Sequence, residues 1–307
     1  MKAHLPPKFQ PLTGLYEPSA IQQLPDGRFL VVEDEKERPF SLVTINADAV
    51  VNSTPLKPGF WQTFDAFWKL DDLEGLALDQ SGHLYAIASH SRDSKGGQSK
   101  SRNKLVRFRI EDDRVVDSRL EADLNLALAA ANPVLAAAAE VRDVKGGGGL
   151  NIEALEFSLD QQHLLIGLRG PLQGNQALIA SIENPAAMFE AGESPRVSST
   201  LIKLNLDGNG IRGMAFIPAL NGYLVIAGPV SREQSQFQLW FWSGHPDESA
   251  RRVSVSGLPG FEHAEGVSAA VIEGQPRIVL VSDDGNRKEG RCARFLLLAA
   301  DQLQIAP

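Results

Sequence analysis

Apolar and polar positions alternate along most of this chain, in short runs broken by Gly, Pro, Asn and Asp. One pattern returns five times: YEPSAIQQLPDGRFLVVED, LEGLALDQSGHLYAIASH, IEALEFSLDQQHLLIGLR, IRGMAFIPALNGYLVIAG and AEGVSAAVIEGQPRIVLVSDD. In each copy two β-rich apolar runs flank a turn, at Asp26-Gly27, Ser81-Gly82, Asp160-Gln161, Asn221-Gly222 and Glu273-Gly274, and so read as a hairpin. A third run follows every copy (SLVTINA, KLVRFRI, ALIASIE, FQLWFWS, ARFLLLA). A weaker fourth follows four of them (AVVNSTPL, RVVDSRL, VSSTLIKLNL, RRVSVSGL). Four strands per repeat is the content of a propeller blade. The residues that open the copies, Glu17, Glu74, Glu153, Arg212 and Glu265, are spaced by 57, 79, 59 and 53 positions. That exceeds the roughly 40–50 residues of compact blades, so long loops are expected.

The expected fold is therefore all-β: one five-bladed β-propeller domain over residues 1–307, with six blades and an unclosed β-sandwich as alternatives. The fifth repeat lacks a convincing fourth strand, and the run before Glu17, KFQPLTGLY, stands where the other repeats have theirs. Segment 8–16 is thus expected to complete the last blade and close the ring, which removes an open sheet edge. Large side chains (Leu76, Leu78, Leu155, Phe157, Met214, Phe216) alternate with small ones (Gly75, Ala77, Ala154, Gly213, Ala215, Gly266, Ser268) in the first strands, as crowding near a narrow axis requires. Residues 119–142 are rich in Ala and Leu and predict two short helices, the second opened by Asn132 as N-cap and Pro133 in the first turn. With the Gly146–Gly149 run, segment 119–149 reads as an insertion able to act as a lid. Trp240 and Trp242 read as packing between blades, and Trp61 and Trp68 as cover for a blade edge.

Hairpin pairing at a constant index sum places Glu17 opposite Glu33, Glu74 opposite His90, Glu153 opposite Arg169, Arg212 opposite Gly228 and Glu265 opposite Asp283. All lie away from the turns, at the end where the most polar loops leave, so one face of the ring gathers mixed charge. The candidate catalytic set is Glu74, His90, Glu153, Arg169, Arg212 and Glu265. Glu17, Glu33 and Arg92 are candidate ligand contacts, and Asp34 falls on the same rim. Asp283 and Asp284, in DDGN, are candidate metal ligands, although DDGN is also a common turn. Crowded carboxylates either take up protons or attract a cation. Oxygen-rich surroundings favour Ca²⁺ or another divalent cation over Zn²⁺. Plain structural roles compete with each of these: backbone capping for the glutamates, an ion pair for Arg169, a loop hydrogen bond for His90.

Composition narrows the classes. A net charge of −8 over 307 residues gives no basic footprint for nucleic acid or an anionic membrane. A single cysteine, Cys292, excludes an intrachain disulfide and a Cys-based zinc site. The start MKAHLPPKFQP has no apolar stretch, so a cytoplasmic location is expected. No GxSxG elbow, P-loop, HExxH or Gly-rich dinucleotide turn is found, so no nucleotide cofactor is expected.

DLEGLALD (72–79), SHSR (89–92), NIEALEF (151–157), GLRGP (167–171), GIRGM (210–214), AGP (227–229), Glu265-Gly266 and SDDG (282–285) together resemble the bacterial domain-of-unknown-function family 3616 over nearly the whole chain. The resemblance implies a propeller with a polar mouth and brings no activity. The Glu-Gly strand starts are more distantly similar to phytase-like propellers, which implies calcium and phosphate esters at a carboxylate-rich mouth. Ala154 departs from the family habit of Gly after Glu. The expected function is binding of a small polar or anionic ligand at the axis mouth, with a divalent cation, and hydrolysis of an ester or phosphoester as the reaction class. The alternatives are a non-catalytic scaffold that docks a protein through its loops or insertion, and a propeller that has lost its activity.

Overall fold

Every one of the five repeats folds as an antiparallel hairpin followed by two further strands, in a computed structural model that describes residues 7–46, 51–59, 62, 65–93, 95–142, 148–231, 236–261 and 263–307. Trp61, Gly146 and Gly147 lie outside the described residues. The first blade holds β2 (Pro18–Gln23), β3 (Phe29–Glu33), β4 (Phe40–Ile45) and β5 (Val51–Pro55). The second holds β6 (Leu73–Leu78), β7 (Leu84–Ala88), β8 (Leu105–Glu111) and β9 (Arg114–Glu121). The third holds β10 (Asn151–Phe157), β11 (Leu164–Gly170), β12 (Ala177–Ile182) and β13 (Ile202–Leu204). The fourth holds β14 (Gly210–Ile217), β15 (Gly222–Gly228), β16 (Gln238–Trp242) and β17 (Arg251–Val255). The fifth holds β18 (Ala264–Ile272), β19 (Gln275–Ser282) and β20 (Arg294–Leu298), with β1 (Gln10–Pro11) hydrogen-bonded outside β20.

The inner strands touch in the order β2, β6, β10, β14, β18 and back to β2, so the ring is closed by five blades rather than six, and it is not an open sandwich. The buried apolar side chains of the described residues form five clusters, one at each interface between neighbouring blades. This is the physical reason for the repeat: a blade is apolar on both faces and buries each against a neighbour. Trp240 and Trp242 pack between the third and fourth blades, and Trp68 packs against the cluster of the first and second. Between β18 and β19 the two-residue turn Glu273-Gly274 has φ of 50° and 73°, the left-handed pair a tight hairpin of this twist needs and that Gly supplies without strain.

Two helices follow β9: α1 (Leu124–Ala131) and α2 (Pro133–Glu140). Asn132 Oδ1 accepts the Val134 amide at 2.9 Å, and Pro133 fills the first turn. Residues 119–121 extend β9 rather than opening α1. Leu124, Leu128, Leu135 and Ala138 are buried in the cluster between the second and third blades. Two elements had not been anticipated. The helix α3 (Pro185–Ala191) follows Asn184 in the same Asn-Pro arrangement that marks α2. The strand β21 (Leu303–Ile305) pairs with β17 and makes the fourth blade five-stranded. A three-residue strand has too little pattern to be read from sequence. Among the described residues no helix is long and apolar enough to cross a membrane.

Candidate functional site

The site is built by five equivalent β-bulges. In each inner hairpin the register slips at the end away from the turn: between Pro18 and Ala20, Leu73 and Gly75, Ile152 and Ala154, Ile211 and Gly213, and Ala264 and Gly266. The residue at the slip has no cross-strand partner, and a bulge re-aims its side chain. These residues are Ser19, Glu74, Glu153, Arg212 and Glu265, and all five line one axial cavity of about 650 Å³. The bulges break the constant index sum, so the observed partners are Pro18 with Glu33, Leu73 with Ala88, Ile152 with Leu168, Gly210 with Gly228, and Ala264 with Ser282.

The cavity also collects Asp34, Lys36, Asp71, Asp72, Ser91, Arg92, Asp93, Ser99, Arg102, Asn151, Arg169 and Asp283. Among the described residues no apolar side chain lines it, and its charged groups are eight carboxylates and five cations. Of the sequence candidates, Glu74, Glu153, Arg169, Arg212, Glu265, Arg92, Asp34 and Asp283 meet here, whereas Glu17, Glu33, His90 and Asp284 do not. Glu17 is exposed, and Ser19 holds the first-blade position that Glu17 was expected to hold. Glu33 is buried beneath the rim, where Oε1 accepts the Tyr16 amide at 3.1 Å and Oε2 the Ser41 hydroxyl at 3.2 Å. His90 turns toward the insertion: its Nδ1 lies 2.7 Å from Asn125 Oδ1 of α1, and burial pulls it down to about 4. Asp284 is bonded by Arg294 and, at 2.7 Å, by the Ser282 hydroxyl. Ser19, Asp71 and Asp72 were missed, and Arg102, which the sequence offers with Lys95, Lys100 and Lys104 as a basic loop able to attract phosphate or simply to be solvated, lines the cavity. Asp71 and Asp72 stand just ahead of Glu74 in DDLEG, the signal that could have found them.

The third and fourth blades carry the ordered core of the site. Glu153 Oε1 accepts from Asn151 Nδ2 at 2.9 Å, Arg169 at 3.0 Å and Arg212 at 3.3 Å, while Arg212 Nε lies 2.8 Å from Oε2. Arg212 also donates to Glu265 and stacks over the Phe237 ring at 5.6 Å, so both its terminal nitrogens are engaged. Arg169 is different. Its Nε donates to the Pro229 carbonyl at 2.9 Å and one terminal nitrogen to Glu153, its side chain is 32% exposed, and its other terminal nitrogen meets no partner among the described residues. On the second blade, Arg102 bonds Asp71 at 3.1 Å and Asp72 at 2.8 Å, and the Ser89 and Ser91 hydroxyls donate to Asp72. Lys36 lies 3.2 Å from Asp71. Arg92 Nε caps the end of α2 through the Ala139 carbonyl at 3.1 Å.

Glu74, Asp34 and Asp283 have no ion pair among the described residues. Burial and then Glu153 hold the Glu74 carboxyl well above its ordinary range. Desolvation in the crowded rim and then Asp72 raise Asp34 to about 8, although its side chain reaches solvent. Burial raises Asp283 to about 6, against the pull of Arg212. Among the described residues no three acidic, His or Cys side chains converge as a metal centre requires.

Outside the cavity, burial raises Glu156 to about 7, where its carboxylate accepts the Phe157 amide at 2.7 Å and the Phe216 amide at 2.9 Å across two blades. An acid raised in the fold stays protonated there while it ionises in the unfolded chain. The folded state then binds more protons, and stability falls as pH rises from about 4.5 to the folded value. Buried His90, lowered to about 4, works in the opposite sense below pH 6.5, so the readout is the comparison of variants: Glu156→Gln should gain urea midpoint relative to the parent as pH rises from 4.5 to about 7. A difference between parent and variant that does not change with pH would contradict the assignment.

The family described as Protein of unknown function (DUF3616) matches residues 130–299, more than half of the chain. A search of curated proteins gave no match. Among solved structures, Kuenenia stuttgartiensis hydrazine synthase is similar at 12% identity over 88% of this chain and 56% of that one, with a TM-score of 0.37. The chain thus spans little more than half of that protein's length. A β-propeller domain from Myceliophteria thermophila, Cps50 (Swd1), is 13% identical over 88% of this chain and 66% of that one, TM-score 0.35. The PQQ-bound aldose sugar dehydrogenase of Streptomyces coelicolor is 12% identical over 97% and 98%, TM-score 0.43. By the match over residues 130–299 the chain belongs to the DUF3616 family of proteins of unknown function, and in this member five bulged inner strands converge on one polar mouth.

Proposed function

We infer that the axial cavity binds a small polar molecule carrying an anionic group, and that the open edge of Arg169 receives that group. The observation that carries this reading is a guanidinium with a free terminal nitrogen in a cavity of about 650 Å³ without one apolar side chain. A ligand of that size buried in such a lining is selected by hydrogen bonds and charge rather than by apolar contact. Arg212 contributes by holding Glu153 and Glu265, which fixes the wall against which Arg169 is aimed.

Hydrolysis of an ester or phosphoester is the reaction class this set would serve. Water attacks the carbonyl carbon or phosphorus, Arg169 stabilises the charge that develops on oxygen, and the bond to the leaving oxygen breaks. Glu74, held protonated by its surroundings, gives its proton to the leaving oxygen and recovers one from the attacking water. The insertion offers little to a docking partner: Leu124, Leu128 and Leu135 face inward, and Leu126 is its one strongly exposed leucine.

Binding of inorganic phosphate and acetate by calorimetry, and turnover of p-nitrophenyl acetate, p-nitrophenyl phosphate and bis-p-nitrophenyl phosphate, test the two parts. Arg169→Gln is expected to weaken anion binding roughly tenfold or more, as loss of a charged hydrogen bond does. Glu74→Gln is expected to lower turnover by about 100-fold or more with little change in binding. Anion binding unaffected by Arg169→Gln would remove the reading.

A further inference from the structure

The cavity is electrically polarised across its axis. Among the described residues the third and fourth blades supply Arg169 and Arg212 with Glu153, while the fifth and first blades, adjacent on the ring, supply Glu265, Asp283, Ser19, Asp34 and Lys36, an arc of net negative charge. The cations of the lining other than Arg169 are engaged: Arg212 by Glu153 and Glu265, Arg102 by Asp71 and Asp72, Lys36 by Asp71, and Arg92 by Ala139 and Glu140. None is left for the arc of the fifth and first blades. At the centre of that arc Ser19 occupies the one bulge position without a charge. It is 4% exposed, it lines the cavity, and its hydroxyl makes no hydrogen bond among the described residues. A buried hydroxyl without a partner, beside two carboxyls that no ion pair among the described residues neutralises, leaves up to three oxygens able to accept from an incoming group.

Resting on the reading that Arg169 takes an anionic group, we propose that the ligand is a zwitterion whose ammonium group is held by Ser19, Asp34 and Asp283 while its carboxylate or phosphate meets Arg169 across the axis. An ammonium carries three N–H donors, one for each acceptor of the arc. It is preferred to a divalent ion because the acids do not converge at ligating distance: the side chains of Asp34 and Asp283 come from different blades, and no trio forms. The ammonium also answers the excess of eight carboxylates over five cations, which an anion alone would aggravate.

The proposal fixes the direction of proton movement. Asp34 faces Asp72, Asp71 and Arg102, and Asp283 faces Arg212, Glu17, His263 and Asp284. Burial raises both carboxyls, Asp34 to about 8 and Asp283 to about 6, so at pH 6.5 an arriving ammonium ionises Asp34 above all and drives protons into solution. An anion alone would instead cause uptake or no exchange.

The test is calorimetry at pH 6.5 in two buffers of different ionisation enthalpy. The probes are a series of ω-amino acids and amino-alkyl phosphates with two to six carbons between the charges. Inorganic phosphate, ethylammonium chloride and calcium chloride are the single-charge arms. At least one zwitterion should bind tenfold or more tightly than phosphate, with net proton release. Asp283→Asn with Asp34→Asn should cancel that gain while phosphate binds at least as tightly as to the parent, which also shows the variant to be folded; Arg169→Gln should weaken phosphate and zwitterion alike. Phosphate binding as tightly as every zwitterion, or proton uptake with all of them, overturns the zwitterion and leaves the anion site standing. Calcium binding abolished by Asp283→Asn overturns it in favour of a metal. No binding of any probe removes the anion site as well.

Discussion

Arg212→Met is expected to cost about 3–5 kcal/mol of stability, the loss typical when one partner of a buried ion pair is removed. Arg212 is 9% exposed and holds Glu153, 3% exposed, and Glu265, 5% exposed, so the substitution strands Glu265 and leaves Glu153 with Arg169 and Asn151 alone. Methionine fills a similar volume, which makes the loss electrostatic rather than a cavity effect. The decisive comparison is with Arg212→Met combined with Glu153→Gln and Glu265→Gln. Removing the stranded charges should recover most of the loss, because buried ionic clusters often contribute little net stability once all members are exchanged together. Chemical unfolding of the single and triple variants measures it. A single variant within about 1 kcal/mol of the parent would show that the guanidinium is not the counter-ion of both carboxylates.

Gly213→Ala is expected to cost about 3 kcal/mol or more, at or beyond the upper end of ordinary overpacking. A Cβ on Gly213 would stand 2.0 Å from the backbone carbonyl oxygen of Glu265, and no side-chain rotamer relieves a backbone contact. The inner strand of the fourth blade would have to leave that of the fifth, and the Arg212–Glu265 pair sits one residue away on each side. Gly148→Ala is the control, since nothing lies within 4 Å of its Cβ position. Equal melting temperatures for the two variants would mean that the blades near the axis are not in backbone contact.

The same crowding explains Ala154, the residue that departs from the Gly habit. Its partner across the hairpin is Gly167, where the other blades place Val32, Ile87, Ile226 and Val281 opposite their small residue. A Cβ on Gly167 would lie 2.8 Å from that of Ala154, so in the third blade the required space has moved to the second strand. A reading of first strands alone sees a missing Gly, whereas the pair shows the two residues exchanged.

What sequence alone determined here is the repeat: alternating apolar runs, their turns, the count of five, and the end of the hairpins at which charge collects. These follow from local rules, because a strand in a propeller is apolar on both faces and a turn needs particular residues wherever it falls. Tertiary structure decided which of the charged residues face one another. One unpaired residue per inner strand moves Ser19 rather than Glu17 onto the axis. The same bulge aims Glu74, Glu153, Arg212 and Glu265 inward, while Glu33 and His90, although at the same end of the hairpins, point into packed interfaces. A bulge inserts a single residue and leaves hydrophobic periodicity intact on both sides, so it is silent in the pattern. The contacts it creates join residues tens to hundreds of positions apart, which no local rule can pair.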